Sequence, residues 1–199
     1  MASRGEKRRA KRWWALGGAV AACALGVALV PSATADEVQP YIIGGHDSTE
    51  DYPFMVSLQD GGGRHFCGGS LIEKDWVVTA AHCAAAAPQE TQVRVGSPNH
   101  DEGGTVAKVS QTIVHPEFDE QDITKGYDIA LLKLDQQVPQ EPISIAEEAG
   151  PAGSQTRILG WGMTCDDQNQ CPEPPKRLQE VGMKLLPADR CNAINAERE

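Results

Sequence analysis

The chain has 199 residues, with 18 lysines and arginines against 28 aspartates and glutamates, a formal charge of −10 and 40% hydrophobic residues. That length suits one ordinary domain. The acidic balance argues against nucleic acid as a partner, because phosphate contacts need a basic surface.

The bases are concentrated at the start. Arg4, Lys7, Arg8, Arg9, Lys11 and Arg12 face one acid, Glu6, and residues 15–30 then form an uncharged apolar run. Ala33-Thr34-Ala35 places small residues where a signal peptidase reads. This order predicts a signal peptide over residues 1–35, cut after Ala35, and a secreted, extracellular product. Arg8-Arg9 is a loose match to a twin-arginine export signal. The apolar run falls short of the roughly 20 residues that span a bilayer, so no stable membrane association is expected after cleavage. Removing residues 1–35 leaves 12 bases against 27 acids, a formal −15.

Beyond residue 41 the chain reads as short extended runs: 54–58, 66–72, 76–80, 92–95, 105–114, 129–134, 156–161 and 178–186. Valine, isoleucine, threonine and aromatic residues fill them, and glycine, proline or acid clusters such as Gly61-Gly62-Gly63 bound them. The alanine-rich stretch 80–87 predicts a single helical turn ended at Pro88. The class expected is an all-β barrel or sandwich. Residues 135–155, rich in acids, proline and glycine, read as a connection between two halves. About six strands precede it and two follow. Two strands make no stable β-domain in water, so the second half is expected to be incomplete.

Cys23 leaves with the signal, and Cys67, Cys83, Cys165, Cys171 and Cys191 remain. Exported cysteines usually pair. An odd number suggests an intermolecular bond, a free thiol or a partner elsewhere.

Two histidine and aspartate contexts carry the chemistry. His82 lies in Val77-Val78-Thr79-Ala80-Ala81-His82-Cys83, and Asp128 lies in Asp128-Ile129-Ala130-Leu131-Leu132. With Ile42-Ile43-Gly44-Gly45, Cys67-Gly68-Gly69-Ser70-Leu71-Ile72 and Gly160-Trp161-Gly162, these stretches resemble the chymotrypsin-like (trypsin-type) serine peptidases, the secreted bacterial members most of all. The resemblance covers residues 42–199. It implies a double β-barrel, all-β, with the first barrel complete and the second incomplete, and a secreted serine endopeptidase acting on polypeptide substrates as a monomer. No cofactor or metal is implied.

By that resemblance His82 is the general base and Asp128 the acid that orients it. An imidazole titrates near neutral pH and can take and return a proton. His46, His65, His100 and His115 lack such a context and read as surface or structural residues. Ile42 is the N-terminus made when a zymogen loses its propeptide, residues 36–41, although Tyr41 stands where the family usually has Arg or Lys. Cys67 and Cys83 form the disulfide that pins the histidine loop, Cys165 and Cys171 pair locally, and Cys191 is unpaired. A thiol nucleophile at Cys83 is disfavoured because an exported cysteine with a partner is oxidised. The acidic loop between Cys165 and Cys171 lacks the spacing and glycine of a calcium loop.

The family's nucleophile is the serine of Gly-Asp-Ser-Gly-Gly, which occurs nowhere in residues 1–199. Ser70, Ser97, Ser110, Ser144 and Ser154 stand in other contexts. Cleavage preference is therefore unreadable, and the chain as given is expected to be inactive, a protease truncated before its serine. The alternatives are a non-catalytic homologue acting as a binding protein, or a fragment without function.

Overall fold

A computed structural model describes residues 42–165 and 173–190. The predicted signal peptide and propeptide, together with Cys171 and Cys191, lie outside the described residues.

Period-two patterning builds the first sheet. Strand β1 is His46–Asp47, β2 Met55–Gln59, β3 His65–Glu73, β4 Trp76–Thr79, β5 Gln92–Val95, β6 Thr105–Val114 and β7 Ala130–Leu134. Along β7, Ala130, Leu132 and Leu134 are buried while Leu131 and Lys133 are only partly so; β4 and β5 alternate in the same way. One face of each strand therefore turns inward. Strands β2 to β7 close into a barrel in the order β2-β3-β4-β7-β6-β5, all neighbours antiparallel. Register shifts at Leu58/Gln59, Leu71/Glu73 and Val109/Gln111 bend the sheet enough to close it. Val56, Leu58, Leu71, Val77, Val93 and Val95 are fully buried inside, each contributing roughly 1.5–3 kcal/mol of burial. The eight predicted runs all correspond to strands, with no end displaced by more than two residues.

The alanine-rich stretch forms one short helix, α1, Ala81–Ala85. A single turn of 3-10 helix at Ile123–Lys125, which the sequence did not suggest, lies in the β6–β7 connection.

The second sheet holds three strands among the described residues, in the order β1-β9-β8, with β8 Gln155–Gly160 and β9 Gln179–Lys184. The two strands expected after residues 135–155 are both present, and β1 adds a third from before the barrel. His46–Asp47, too short to read as a strand, pairs with Gln179 and Glu180 of β9. The segment before the barrel is held there by polar contacts. Glu180, 5% exposed, accepts hydrogen bonds from the hydroxyls of Thr49 (2.7 Å) and Tyr52 (2.6 Å). Gln179 Nε2 donates to Asp47 Oδ1 at 2.9 Å.

Strand β2 is buried along its whole length because both its faces are covered. Val56 and Leu58 point into the barrel core. Met55 packs with Trp161 and Leu178 beneath the second sheet. Ser57 and Gln59, also on the outer face, are paired: Ser57 Oγ lies 2.8 Å from His65 Nδ1, and Gln59 Nε2 donates to Ser57 Oγ and to the His100 carbonyl. The His65 ring stacks on His100 (centroids 5.1 Å) and meets Trp161 edge-on (5.4 Å). Burial first, and the neighbouring His100 second, push the His65 imidazole down to about 4.

Two outcomes follow from this packing. A Cβ at Gly69 would lie 2.9 Å from both Val77 Cγ1 and the Val78 carbonyl oxygen; Gly69→Ala is expected to cost about 1–3 kcal/mol in urea unfolding. For His65, the unfolded chain binds a proton that the native chain excludes between the ordinary value of 6.5 and about 4. Stability therefore falls as pH drops through that window and levels off below it. His65→Asn should flatten the pH dependence of unfolding there by about 2–3 kcal/mol; a curve parallel to wild type would contradict the assignment.

Candidate active site

The barrel register brings His82 and Asp128 together from positions 46 apart. Strands β4 and β7 are neighbours, and Thr79 at the end of β4 faces Ala130 at the start of β7. His82 follows Thr79 by three residues, on α1, and Asp128 precedes Ala130 by two.

Helix α1 is preceded by Ala80 at its N-cap, which offers no side-chain cap. Its first N–H groups have no partner within the helix. Asp128 supplies one from outside: Oδ1 accepts from the His82 backbone N–H at 2.9 Å, and Oδ2 lies 2.7 Å from His82 Nδ1. Burial alone would raise the Asp128 carboxyl. The His82 backbone N–H and ring, with the Ala81 N–H, outweigh it and hold the group below the usual carboxylate value. An ionised carboxylate is an acceptor only, so Nδ1 carries a proton toward Asp128, and in the neutral ring Nε2 is then the nitrogen with the free lone pair. That is the tautomer a general base needs.

The His82 side chain is 43% exposed and that of Asp128 30%. Beside the imidazole lies a shallow recess of about 220 Å³ lined by Ala85, Ala86, Phe118, Glu120 and Ile123. Its far wall belongs to the β6–β7 connection. The sequence carried no signal for it, because loop residues meet α1 only through the closure of the barrel. Among the described residues, no serine hydroxyl is hydrogen-bonded to His82. Nε2 lies 3.3 Å from Cys83 Sγ, a disulfide sulfur with no proton to give.

Cys67 and Cys83 are bonded, with Cα atoms 6.1 Å apart. The bridge ties β3 to α1, closing a loop of 16 residues in sequence separation; in the chain-entropy account this contributes roughly 3 kcal/mol. The donor atoms of Cys67, His82 and Cys83 lie within 4.8 Å of one another. With both sulfurs in the disulfide there is no thiolate, which is the form that binds metal. Cys165 is also disulfide-bonded; the predicted pairing with Cys171 and the unpaired state of Cys191 fall on residues outside those described.

Ile42 is buried, its N–H donating to the Met163 carbonyl at 2.6 Å. Gly45 turns tightly beneath it: a Cβ there would lie 2.6 Å from Ile42 Cγ2. Of the serines singled out, Ser70 is on β3, Ser97 donates to the Glu102 carbonyl, and Ser110 donates to the Lys133 carbonyl. The structure thus unites His82 and Asp128, places Cys67 and Cys83 beside them, and sets Ile42 against the Met163 segment. No helix among the described residues is long and apolar enough to cross a membrane.

Comparison with known proteins agrees with this geometry. The family model described as Trypsin matches residues 42–198. Trypsin 5G1 of Aedes aegypti is 40% identical over 156 residues, covering 72% of this chain and 58% of its own length. Trypsin theta of Drosophila melanogaster is 37% identical over 179 residues (87% and 67%), and a trypsin of Saccharopolyspora erythraea 37% over 162 residues (78% and 69%). The chain therefore spans between 58% and 69% of the length of these relatives. Among solved structures, mouse neuropsin, a serine protease expressed in the limbic system, superposes with a TM-score of 0.67 at 26% identity, over 76% of this chain and 68% of that one. From the six-stranded barrel, the bonded His82–Asp128 pair and these matches, the chain belongs to the trypsin family of chymotrypsin-like serine proteases.

Proposed function

We propose that this chain carries the base and the orienting acid of a secreted serine endopeptidase. The observation that supports it most is the double grip of Asp128 on residue 82, one oxygen on the backbone N–H and the other on ring Nδ1. In this reading a serine hydroxyl gives its proton to His82 Nε2 as it attacks the scissile carbonyl. Asp128 stabilises the imidazolium that results, and His82 then returns the proton to the leaving amine. Water repeats the cycle on the acyl-enzyme. Residues 1–199 contain no Gly-Asp-Ser-Gly-Gly, so the nucleophile is assigned to sequence outside them.

Residues 1–35 are proposed as the signal peptide and 36–41 as the propeptide. Cleavage between Tyr41 and Ile42 would release an ammonium group at a residue already docked in the protein, which supports a zymogen role for that bond. Polypeptides are the proposed substrates, the product is extracellular, and the enzyme acts as a monomer. The Cys67–Cys83 bridge fits an oxidising compartment.

The mature protein from its native source is expected to exceed the mass of residues 42–199 and to react stoichiometrically with a serine-directed phosphonate. Residues 36–199 alone are expected to show neither phosphonate labelling nor amidase activity. Labelling of any serine within 36–199 would overturn the assignment of the nucleophile. In the active protein Asp128→Asn should lower kcat by about 10⁴-fold, the loss a wrong imidazole tautomer causes in the family's reference enzyme. A loss under tenfold would remove Asp128 from its role.

A further inference from the structure

We propose that Tyr127 is a positioning residue for the Asp128–His82 pair, and that the stack of its ring on His115 fixes the turn that aims the carboxylate. The inference rests on the roles given to His82 and Asp128 above.

Asp128 follows two residues of unusual backbone. Gly126 has φ +84° and ψ −154°. Tyr127, at φ +59°, is the one non-glycine residue with positive φ among those described. The left-handed region disfavours a bulky side chain, and glycine adopts it with less penalty. Something other than backbone preference therefore holds a tyrosine there. Burial does not, because Tyr127 is 50% exposed.

The contacts of the ring supply the reason. It lies on the His115 imidazole at a centroid distance of 4.8 Å and an interplanar angle of 16°. The imidazole is itself oriented, since Nδ1 accepts the Glu117 N–H at 3.2 Å. The backbone closes around Asp128 in the same place. Ile129 N–H donates to the Tyr127 carbonyl at 2.7 Å, an i to i+2 closure with Asp128 at its centre, and His115 N–H donates to the Ile129 carbonyl at 3.1 Å. Asp128 is thus flanked on both sides by residues tied to His115. A strained residue at the edge of a functional site persists only where its surroundings hold it; here the stacked pair does so, and the carboxylate of the next residue meets both donors of His82.

The test reads the His82 ring directly, by ¹⁵N NMR of the mature protein near neutral pH. A fixed Nδ1–H tautomer separates the two ring nitrogen shifts and slows exchange of the Nδ1 proton with water. Tyr127→Phe keeps the stack and should leave both readouts at wild-type values. Tyr127→Gly keeps the left-handed turn but loses the ring, and His115→Ala loses the other half of the stack. Each should speed Nδ1 proton exchange roughly fivefold, the factor expected from losing one aromatic contact, while the Val56 and Leu132 amides stay protected. Tyr127→Val, which suits neither the turn nor the stack, should abolish the fixed tautomer. If Tyr127→Val does not fold, the Phe and Gly variants still decide. Wild-type exchange in Tyr127→Gly or His115→Ala overturns the proposal, as does accelerated exchange in Tyr127→Phe. None of these readouts needs a nucleophile. Failure of the phosphonate experiment with a tautomer that responds as expected would remove the protease reading and leave the positioning role standing.

Discussion

The pairing of β4 with β7 is the constraint on which the site depends. Thr79 and Ala130 face each other across that ladder, so the residues just beyond β4 and just before β7 must emerge side by side. A slip of one residue would turn every inward side chain of β7 to the other face, exposing Leu132 and Leu134. The hydrophobic pattern therefore protects the register that pairs His82 with Asp128 as well as the core. Asp128 also gives α1 an N-terminal acceptor that its own sequence lacks. A helix of five residues has little stability of its own. The carboxylate, the Cys67–Cys83 bridge and the burial of Ala81 and Ala84 hold it in place.

The second organising element is β2, which belongs to two packing layers at once. Its inner face closes the barrel, and its outer face is the floor for Trp161 and Leu178. Burying Ser57 and Gln59 on that outer face would be costly without partners, and His65 and His100 provide them. Glu180 follows the same logic. A carboxylate at 5% exposure is held by two hydroxyls, and both come from the segment that leads into the barrel. These polar contacts, together with the burial of Ile42 itself, hold the segment running from Ile42 to Tyr52.

Much of the site was legible before any coordinates. Thr79-Ala80-Ala81-His82-Cys83 and Asp128-Ile129-Ala130-Leu131-Leu132 are local words, because each combines a reactive residue with the strand or turn that carries it. The strand runs were equally legible, since period-two alternation is a local property. What was missed is what depends on distant partners. His46–Asp47 becomes a strand only because β9 lies beside it, and two residues carry no periodicity to detect. His65 and His100 read as ordinary histidines because their stack joins a strand to a loop 35 positions away. Phe118, Glu120 and Ile123 border His82 through a connection whose path local patterning does not specify.

The sequence by itself determined the family, the class of fold, and which histidine and aspartate would be found paired, because motif chemistry and alternation are written within a few positions. Tertiary structure alone decided how those residues are held. It placed both oxygens of Asp128 on residue 82, buried a carboxylate at 180 among hydroxyls, and set Tyr127 in a left-handed turn against His115. Each of these joins residues well apart in the sequence, and the angles and distances between them exist only once the chain has folded around the barrel.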